Sequence, residues 1–480
     1  MAKVVSKPEP VDSMGLKSHK THGVKSQLRS RFPEAFKEFA NLVDARDASM
    51  AKREETFACI DGNVLMMSVP QGAQTLDTYV AIVTSGLKRA IATSFVTVVV
   101  FDNPNCMTDA KKQEQMKRDA TRASTVVCCS ADVVPSMPTD DNYKKQYIVE
   151  STNVQALRDN RNTRHRFFDE VAVRVLHNLK QQVKRWNESG HIGGHVLFDG
   201  IDSRGADRSI GDAREARMIG SCDRLVGLFE RSVDIGEGDL KLADLGRRVR
   251  SLSLGEDPDL KVIRLSLCTT IDTDSFAIEL LEEAKRCKDT DCHQAFNTLL
   301  CMRERARKRG LEDDRDPFYL CCDITLLHAL LQRNMWGMSR SPSPADRHAA
   351  MTLMCAGWAL CGCDFVEFKG MRSDVVFDSI GDVLKSVPTA IEGTKYAWSG
   401  RREQVKELYQ PIRALAVACA SRLLKIPRIK KDFVPALRDL DDVLVKRTAW
   451  IICYWNSCEF KGSMEEFGFV MPFDGGSGFT

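Results

Sequence analysis

Thr56-Phe-Ala-Cys-Ile-Asp61 is an apolar run that ends on a carboxylate, and Val98-Val-Val-Phe-Asp102 repeats this pattern about 40 residues later. Between the two runs, residues 76–92 place their apolar side chains on one face of a predicted helix. A strand, a helix and a second strand at this spacing are typical of a parallel sheet. We therefore predict an α/β fold with a central, mostly parallel sheet.

Two further apolar runs also end on carboxylates. Residues 262–271 lead to Asp272-Thr-Asp274, and residues 351–363 lead to Asp364. A glycine-rich turn, Gly236-Glu-Gly-Asp239, adds another acidic pair. Functional residues of parallel α/β sheets gather just beyond the carboxyl ends of the strands, and residues i and i+2 of an extended segment point to the same side. The predicted metal-binding acids are Asp61, Asp102, Glu237, Asp239, Asp272, Asp274 and Asp364.

Grouped carboxylates need cations. Two unit charges 4 Å apart repel by roughly 4 kcal/mol at an effective dielectric of about 20. Ligands that are all oxygen favour hard ions, so we expect two Mg²⁺ ions, with Mn²⁺ as a substitute. Taken singly, each acid has a simpler interpretation, because Asp61 and Asp102 both begin sequences that are typical of turns or helix caps. Only the set of acids, in this order, indicates a metal site.

Length and composition predict how the chain is organised. With 480 residues and 28% charged residues, it is long enough for two or three units of ordinary globular composition. We expect a disordered basic extension at 1–22, a core at 23–390 with an insertion at about 108–235, and a helical region with a Gly-rich tail at 391–480. The glycines of 190–211 favour a mobile loop or insertion within this core.

Local patterns add two predicted helical segments. An amphipathic helix is expected from Gly23 onward, with Leu28, Phe32 and Phe36 at a spacing of four. Residues 154–188 are expected to form a long basic helix pair. Basic residues outnumber acids eight to three at 158–185 and seven to two at 1–31. Such segregation indicates a track for a polyanion, although solvated helix faces would explain each basic run equally well.

Cysteine content and hydropathy bear on the compartment. The 17 cysteines are dilute and lack the spacing of zinc sites. The chain has no run of 18 apolar residues and no apolar segment near its N-terminus. We expect an intracellular protein, in the nucleus or the cytoplasm, with no membrane partner.

The motifs, taken together, resemble the 5′-nuclease superfamily, which has a PIN-like fold and contains the flap endonuclease/XPG enzymes and the Xrn 5′→3′ exoribonucleases. The resemblance covers roughly residues 23–384, mostly in short motifs. Its order of acids is that of the family. The motifs are Gly23-Val-Lys-Ser, Ile60-Asp-Gly-Asn63, Val100-Phe-Asp102, Gly236-Glu-Gly-Asp-x-Lys241, Thr270-Ile-Asp-Thr-Asp274 and Leu360-Cys-Gly-Cys-Asp364.

The resemblance implies a nucleic-acid partner with a 5′ end or a single-stranded flap, cleaved with the help of two Mg²⁺ ions. It places catalytic Lys111 and Arg118 two helical turns apart on one face of an arch helix, where they would hold the scissile phosphate. An ordinary charged surface helix is the alternative interpretation. We expect a monomer, and the sequence leaves protein partners open. The nucleic-acid-binding residues are expected to be Gly23, Lys112, Gln115, Arg122, Arg161, Arg164 and Arg166.

The chain also departs from the family in ways that leave the substrate open. The motif Gly236-Glu-Gly-Asp-x-Lys241 favours cleavage of RNA, as in the Xrn enzymes. The sequence around Asp364 favours cleavage of DNA, as in the flap endonucleases. The glycine turn after Asp364 is incomplete, and Lys111 lies two residues further from Asp102 than is usual. The first hypothesis is a Mg²⁺-dependent 5′ nuclease, of the flap endonuclease or 5′→3′ exonuclease type, acting on DNA or RNA. The alternatives are an Xrn-like exoribonuclease acting on RNA only, and an inactive pseudo-nuclease that binds nucleic acid.

Overall fold

The computed structural model describes the chain in segments, and the predicted arch helix with Lys111 and Arg118 lies outside them. The described segments are residues 23–70, 75–103, 106–107, 154–159, 161–189, 195–201, 215–219, 235–253, 263–286, 296–304, 307–308, 311–312, 318–336, 343–363, 372–386, 406–425 and 442–456. The strands are β1 Phe36–Phe39, β2 Thr56–Asp61, β3 Val96–Val100, β4 His195–Ile201, β5 Glu215–Ile219, β6 Leu265–Thr269, β7 Asn297–Glu304, β8 Arg307–Lys308, β9 Leu311–Glu312 and β10 Phe318–Asp323. The α-helices are α1 Val24–Arg31, α2 Leu42–Ala48, α3 Gly62–Met67, α4 Leu76–Thr93, α5 Val154–Asp159, α6 Arg161–Glu188, α7 Gly238–Ser253, α8 Asp274–Arg286, α9 Ile324–Trp336, α10 Pro344–Leu360, α11 Ser373–Ser386, α12 Tyr409–Leu423 and α13 Asp442–Asn456.

Eight strands form one mixed sheet in the order β1-β10-β7-β6-β2-β3-β4-β5. The five central strands β7, β6, β2, β3 and β4 run parallel to one another. At one edge β10 pairs antiparallel with both β7 and β1, and at the other edge β5 pairs antiparallel with β4. The predicted α/β fold with a mostly parallel sheet is confirmed. The strand–helix–strand unit β2, α4, β3 lies where the sequence predicts it, and α4 extends one residue further than expected.

Helices cover both faces of the sheet, so the central strands are buried on both sides. On one face, α4 and α6 pack over Ile60, Val99 and Phe198. On the other face, α7 packs over Phe57, Val98 and Leu197. Burial on both faces explains why β2 and β3 are almost continuously apolar rather than alternating.

The first helix is shorter than predicted. It ends at Arg31, and Phe36 begins β1, which pairs antiparallel with β10. Pro33 accounts for the difference, because a proline disfavours helical backbone angles at the residue before it. Phe32 and Phe36 are four residues apart in the sequence, but the helix ends before them, so they do not share a helix face.

The prediction of a mobile loop at 190–211 is wrong where β4 lies. His195–Ile201 forms a buried strand that pairs in parallel with β3. Its apolar residues Val196 and Phe198 fill the core beneath α6, and this burial outweighs the loop tendency of the flanking glycines. The predicted helix pair at 154–188 is confirmed as α5 and α6. The described part of the predicted insertion thus includes two strands of the main sheet, β4 and β5.

The C-terminal helices share one hydrophobic cluster with the edge of the sheet. This cluster joins α8 to α13 with Leu300, Met302 and Cys322 of β7 and β10. Trp450 of α13 is its largest fully buried side chain. Both α11 and α12, which flank the predicted domain boundary at residue 390, contribute to it. None of the described helices has the length and hydrophobicity of a membrane span.

Gly357 permits the close crossing of α10 and α11. A Cβ built on Gly357 would overlap Cγ1 of Val376 and lie 3.3 Å from Cδ2 of Leu415. We expect Gly357→Ala to lower the free energy of unfolding by about 1–3 kcal/mol, since Val376 is β-branched and cannot turn away freely. Adding Val376→Ala should restore part of this loss. Urea unfolding measures both, with Gly381→Ala as the control, because a Cβ there meets its nearest atom only at 3.7 Å. Equal effects of the two alanines would contradict this account of the crossing.

Candidate functional site

Asp61 and Asp102 stand at the carboxyl ends of two adjacent parallel strands. Asp61 is the last residue of β2 and is aligned with Val100 of β3, and Asp102 follows two residues later. The Asp61 side chain caps α3, since its Oδ1 accepts hydrogen bonds from the N–H groups of Asn63 at 2.8 Å and Val64 at 3.2 Å. Asp61 is therefore both a helix cap and a buried carboxylate of the strand end, 8% exposed.

Gly238, the first residue of α7, lies between these two carboxylates. Its N–H donates a hydrogen bond of 2.8 Å to Oδ1 of Asp102. A Cβ built on Gly238 would lie 3.3 Å from Oδ1 of Asp102 and 3.8 Å from Oδ1 of Asp61. The turn before α7 is tied to the Asp102 loop, because the N–H of Asn103 donates to the carbonyl of Gly236 at 2.9 Å. The N-terminus of α7 thus brings its partial positive charge to the acids.

The electrostatics of the pair show that the carboxylates are crowded. The pKa of Asp61 is raised to about 7, first because the group is buried and next because Asp102 is close, with a smaller contribution from Asp272. The two backbone N–H groups that the side chain caps lower it, but they do not offset burial. A carboxyl with this pKa holds its proton up to neutral pH unless a cation compensates its charge.

A second group of acids links α7 to the turn between β6 and α8. Oδ1 of Asp239 accepts hydrogen bonds from Ser275 Oγ at 2.6 Å and Thr270 Oγ1 at 3.2 Å. Asp272 Oδ1 accepts from the N–H of Asp274 at 3.1 Å. The hydroxyl groups of Thr270 and Ser275 are site features that the acidic pattern alone did not predict.

The donor set fits a hard cation in part. Asp61 and Asp102 offer oxygen atoms around one small space beside Gly238, and Asp272 is close enough to raise the pKa of Asp61. Within the segments that the structure describes, no three His, Cys, Asp or Glu side chains are grouped closely enough to hold a metal ion by themselves. The structure therefore brings two of the predicted ligands together. Asp239 and Asp274 lie in the first turns of α7 and α8, and Glu237 and Asp272 lie in the connections just before these helices.

The other predicted residues fall into two sets. Gly23 is exposed and immediately precedes α1, and Arg161 begins α6. Arg164 is half-buried and its Nε donates to the carbonyl of Arg158 at 2.7 Å, while Arg166 is 6% exposed. These two arginines lie within the packing of α5 and α6, and their contact with nucleic acid stays a prediction. The predicted residues outside the described segments are Lys111, Lys112, Gln115, Arg118, Arg122 and Asp364.

A buried ion pair at the same end of the sheet was not predicted. Lys241 of α7 and Asp199 of β4 lie 3.5 Å apart, Nζ to Oδ2, and both side chains are fully buried. Asp199 is aligned with Val100, as Asp61 is from the other side. A signal was present in the sequence, because Val196-Leu-Phe-Asp199-Gly200 is an apolar run ending on Asp-Gly, like the run that ends at Asp61-Gly62.

No family model matches the chain, and no curated protein matches it at a significant level. The fold and the site define an α/β protein with a mixed, mostly parallel sheet. Its distinguishing feature is a pair of carboxylates at the carboxyl ends of two central strands, crossed by the N-terminus of a helix.

Proposed function

We propose that this chain is a Mg²⁺-dependent nuclease with the PIN-like architecture of the 5′-nuclease superfamily, hydrolysing phosphodiester bonds near 5′ ends of DNA or RNA. The observation that supports it best is the placement of Asp61 and Asp102. Both carboxylates lie next to Gly238 at the ends of adjacent parallel strands, and the pKa of Asp61 is raised to about 7. An ordinary turn or helix cap does not require a second carboxylate, here the partly exposed Asp102, beside the buried Asp61.

The roles of the residues follow from their positions. Asp61 and Asp102 would hold a divalent cation directly, and Asp239, through its bonds to Ser275 and Thr270, would keep α7 aligned with α8. When bound, Mg²⁺ supplies Lewis acidity that lowers the pKa of a water and stabilises the leaving oxygen. Glu237, Asp272, Asp274 and Asp364 complete the proposed set of ligands and supporting acids. Lys111 and Arg118 would bind the scissile phosphate.

The substrate is proposed as a class. A single strand with a 5′ end, or a single-stranded flap, fits an acidic site at the end of a sheet that is flanked along the chain by basic segments. Action on RNA alone is the narrower alternative, favoured by Gly236-Glu-Gly-Asp-x-Lys241. We propose that the enzyme acts as a monomer.

The test of this function is a cleavage assay with three labelled substrates. The protein is incubated with a 5′-flap DNA, a single-stranded DNA and a 5′-monophosphate RNA, in Mg²⁺ and in EDTA. We expect Mg²⁺-dependent product from at least one substrate and none in EDTA. Asp61→Asn, purified in parallel, reports any contaminating nuclease.

The pattern of products separates the alternatives. Product from RNA alone would select the exoribonuclease, and product from the flap junction would select an endonuclease. If no substrate is cleaved while each still binds in EDTA, the chain is a nucleic-acid-binding pseudo-nuclease. That outcome would refute the proposed activity.

A further inference from the structure

The buried pair of Lys241 and Asp199 is costly to assemble. Removing two charges from water carries a desolvation penalty, and replacing such a pair with apolar residues is often neutral or stabilising. Here both side chains are fully buried, with Nζ and Oδ2 3.5 Å apart. A contribution to stability is therefore a weak explanation for the presence of this ion pair. We look for another explanation in the position of the two residues.

The backbone around the pair is shaped to admit the lysine. Gly200 has a φ of +84°, which favours glycine, and a Cβ built there would lie 2.8 Å from Nζ of Lys241. The same Cβ would lie 2.8 Å from the carbonyl oxygen of Phe101. The pairing register of β4 with β5 also shifts between Asp199 and Ile201. The ammonium group thus occupies a space that only glycine leaves open.

The aspartate end of the pair is tied to the strand that leads to Asp102. The N–H of Phe101 donates to the carbonyl of Asp199 at 2.9 Å. Phe101 directly precedes Asp102, so a shift of Asp199 would move the backbone that carries this carboxylate.

The lysine end of the pair is tied to the first turn of α7. The N–H of Lys241 donates to the carbonyl of Glu237 at 3.1 Å, closing that turn. Gly238 lies within the turn, and its N–H donates to Oδ1 of Asp102. The ion pair and these backbone hydrogen bonds therefore form one network that connects α7 with the ends of β3 and β4.

We propose that Lys241 and Asp199 are positioning residues of the carboxylate site. Their ion pair holds the first turn of α7 against the ends of β3 and β4, and so keeps the Gly238 N–H on Asp102. Neither residue is assigned a contact with substrate. The inference deepens the proposed function, because it rests on that function for the role of the carboxylates in binding a divalent cation.

The experiment compares three variants with a matched control. Lys241→Met removes the ammonium group, and Asp199→Asn with Lys241→Met leaves no unpaired buried charge. Gly200→Ala keeps both charges but crowds both the lysine and the carbonyl oxygen of Phe101, so it supports the other two variants and does not decide alone. The control is Asp244→Asn, because Asp244 also lies on α7, is 3% exposed and pairs with Arg248 at 2.6 Å, but lies further along the helix.

Three readouts are taken on the full chain: hydrogen exchange of the peptide covering 236–241, Mn²⁺ affinity by calorimetry, and the thermal midpoint. We expect the three variants to lose protection in that peptide and to bind Mn²⁺ about tenfold more weakly, as supporting residues of metal sites do. Asp244→Asn should lower the midpoint without either change. If the pair were merely structural, its variants would differ from the parent in the midpoint alone, and protection of the peptide and Mn²⁺ affinity would stay intact.

The two proposals fail in different ways. If the parent chain binds no Mn²⁺ and cleaves nothing, the proposed function is refuted, while the exchange data still decide whether the pair holds the turn. If the parent chain binds Mn²⁺, but the double variant keeps both its protection and its affinity, the positioning role is overturned. Should Lys241→Met fail to fold, the double variant decides in its place.

Discussion

Asp61→Asn should lower Mg²⁺-dependent cleavage by about 10³-fold or more and, in EDTA at pH 8, make the folded protein more stable than the parent. Loss of a residue central to catalysis commonly has an effect of this size or larger. The gain in stability follows from the pKa of Asp61, which burial and Asp102 raise from 3.8 to about 7. Asn keeps the side-chain oxygen that caps α3, so the substitution removes charge and retains the cap.

Whether stability rises or falls with pH depends on whether the folded or the unfolded state keeps the proton on Asp61. Between pH 4 and pH 7 the folded parent keeps a proton on Asp61 that the unfolded chain releases, so stability falls as the pH rises through this range. Above pH 7, ionisation of Asp61 lowers the free energy of unfolding of the parent by its full amount, on the order of 4 kcal/mol. The stability advantage of Asp61→Asn should therefore be largest at pH 8 and shrink as the pH falls toward 4.

Denaturant unfolding in EDTA at several pH values measures this difference. Asp77→Asn is the control, because the Asp77 side chain is 90% exposed and its only ion pair among the described residues, with Arg174, is at the surface. Its replacement should leave cleavage unchanged and lower the free energy of unfolding by no more than about 0.5 kcal/mol at every pH above 5. Adding Mg²⁺ should reverse the order of stability, since a cation that binds only the folded parent stabilises it by mass action. If Asp61→Asn is less stable than the parent at pH 8 without metal, the account of crowded carboxylates is wrong.

The centre of the fold was predictable because its determinants are local. In β2, α4 and β3, apolar runs of strand length flank a helix with one apolar face, and all three elements form where these patterns place them. Parallel strands separated by a helix then bring their carboxyl ends to one edge, which is why Asp61 and Asp102 meet. No distant residue was needed for this inference.

The parts that were missed depend on partners far along the chain. Phe36 continues a helical spacing, but it lies in a strand because it pairs with Cys322, nearly 290 residues away. The glycines around β4 favour a loop, yet His195–Ile201 is placed in the sheet by its pairing with β3. Lys241 and Asp199 belong to two elements whose contact depends on that placement. Their ion pair could not be predicted while β4 was taken for a loop.

Gly238→Ala should lower the turnover of the cleaved substrate by about tenfold to a hundredfold while leaving the protein as stable as the parent. The new methyl carbon would lie 3.3 Å from Oδ1 of Asp102 and 3.8 Å from Oδ1 of Asp61, in the space that both oxygens border. To relieve the closer contact, the Asp102 carboxylate must move by a few tenths of an ångström, and small misplacements at a reacting centre have effects of this order. Alanine suits the first turn of a helix better than glycine, so folding should not suffer.

The same helix supplies the control. Gly246 also lies in α7, but a Cβ there would make only an ordinary contact, 3.9 Å from Oγ of Ser266. Gly246→Ala should raise the free energy of unfolding by about 0.5–1 kcal/mol and leave cleavage unchanged. Steady-state kinetics with the best substrate, together with thermal melts, compare the two alanines. Parent-like turnover in Gly238→Ala would show that the space between Asp61 and Asp102 is not where the cation and the phosphate are handled. The acidic strand ends would then have to be explained as helix caps and turns.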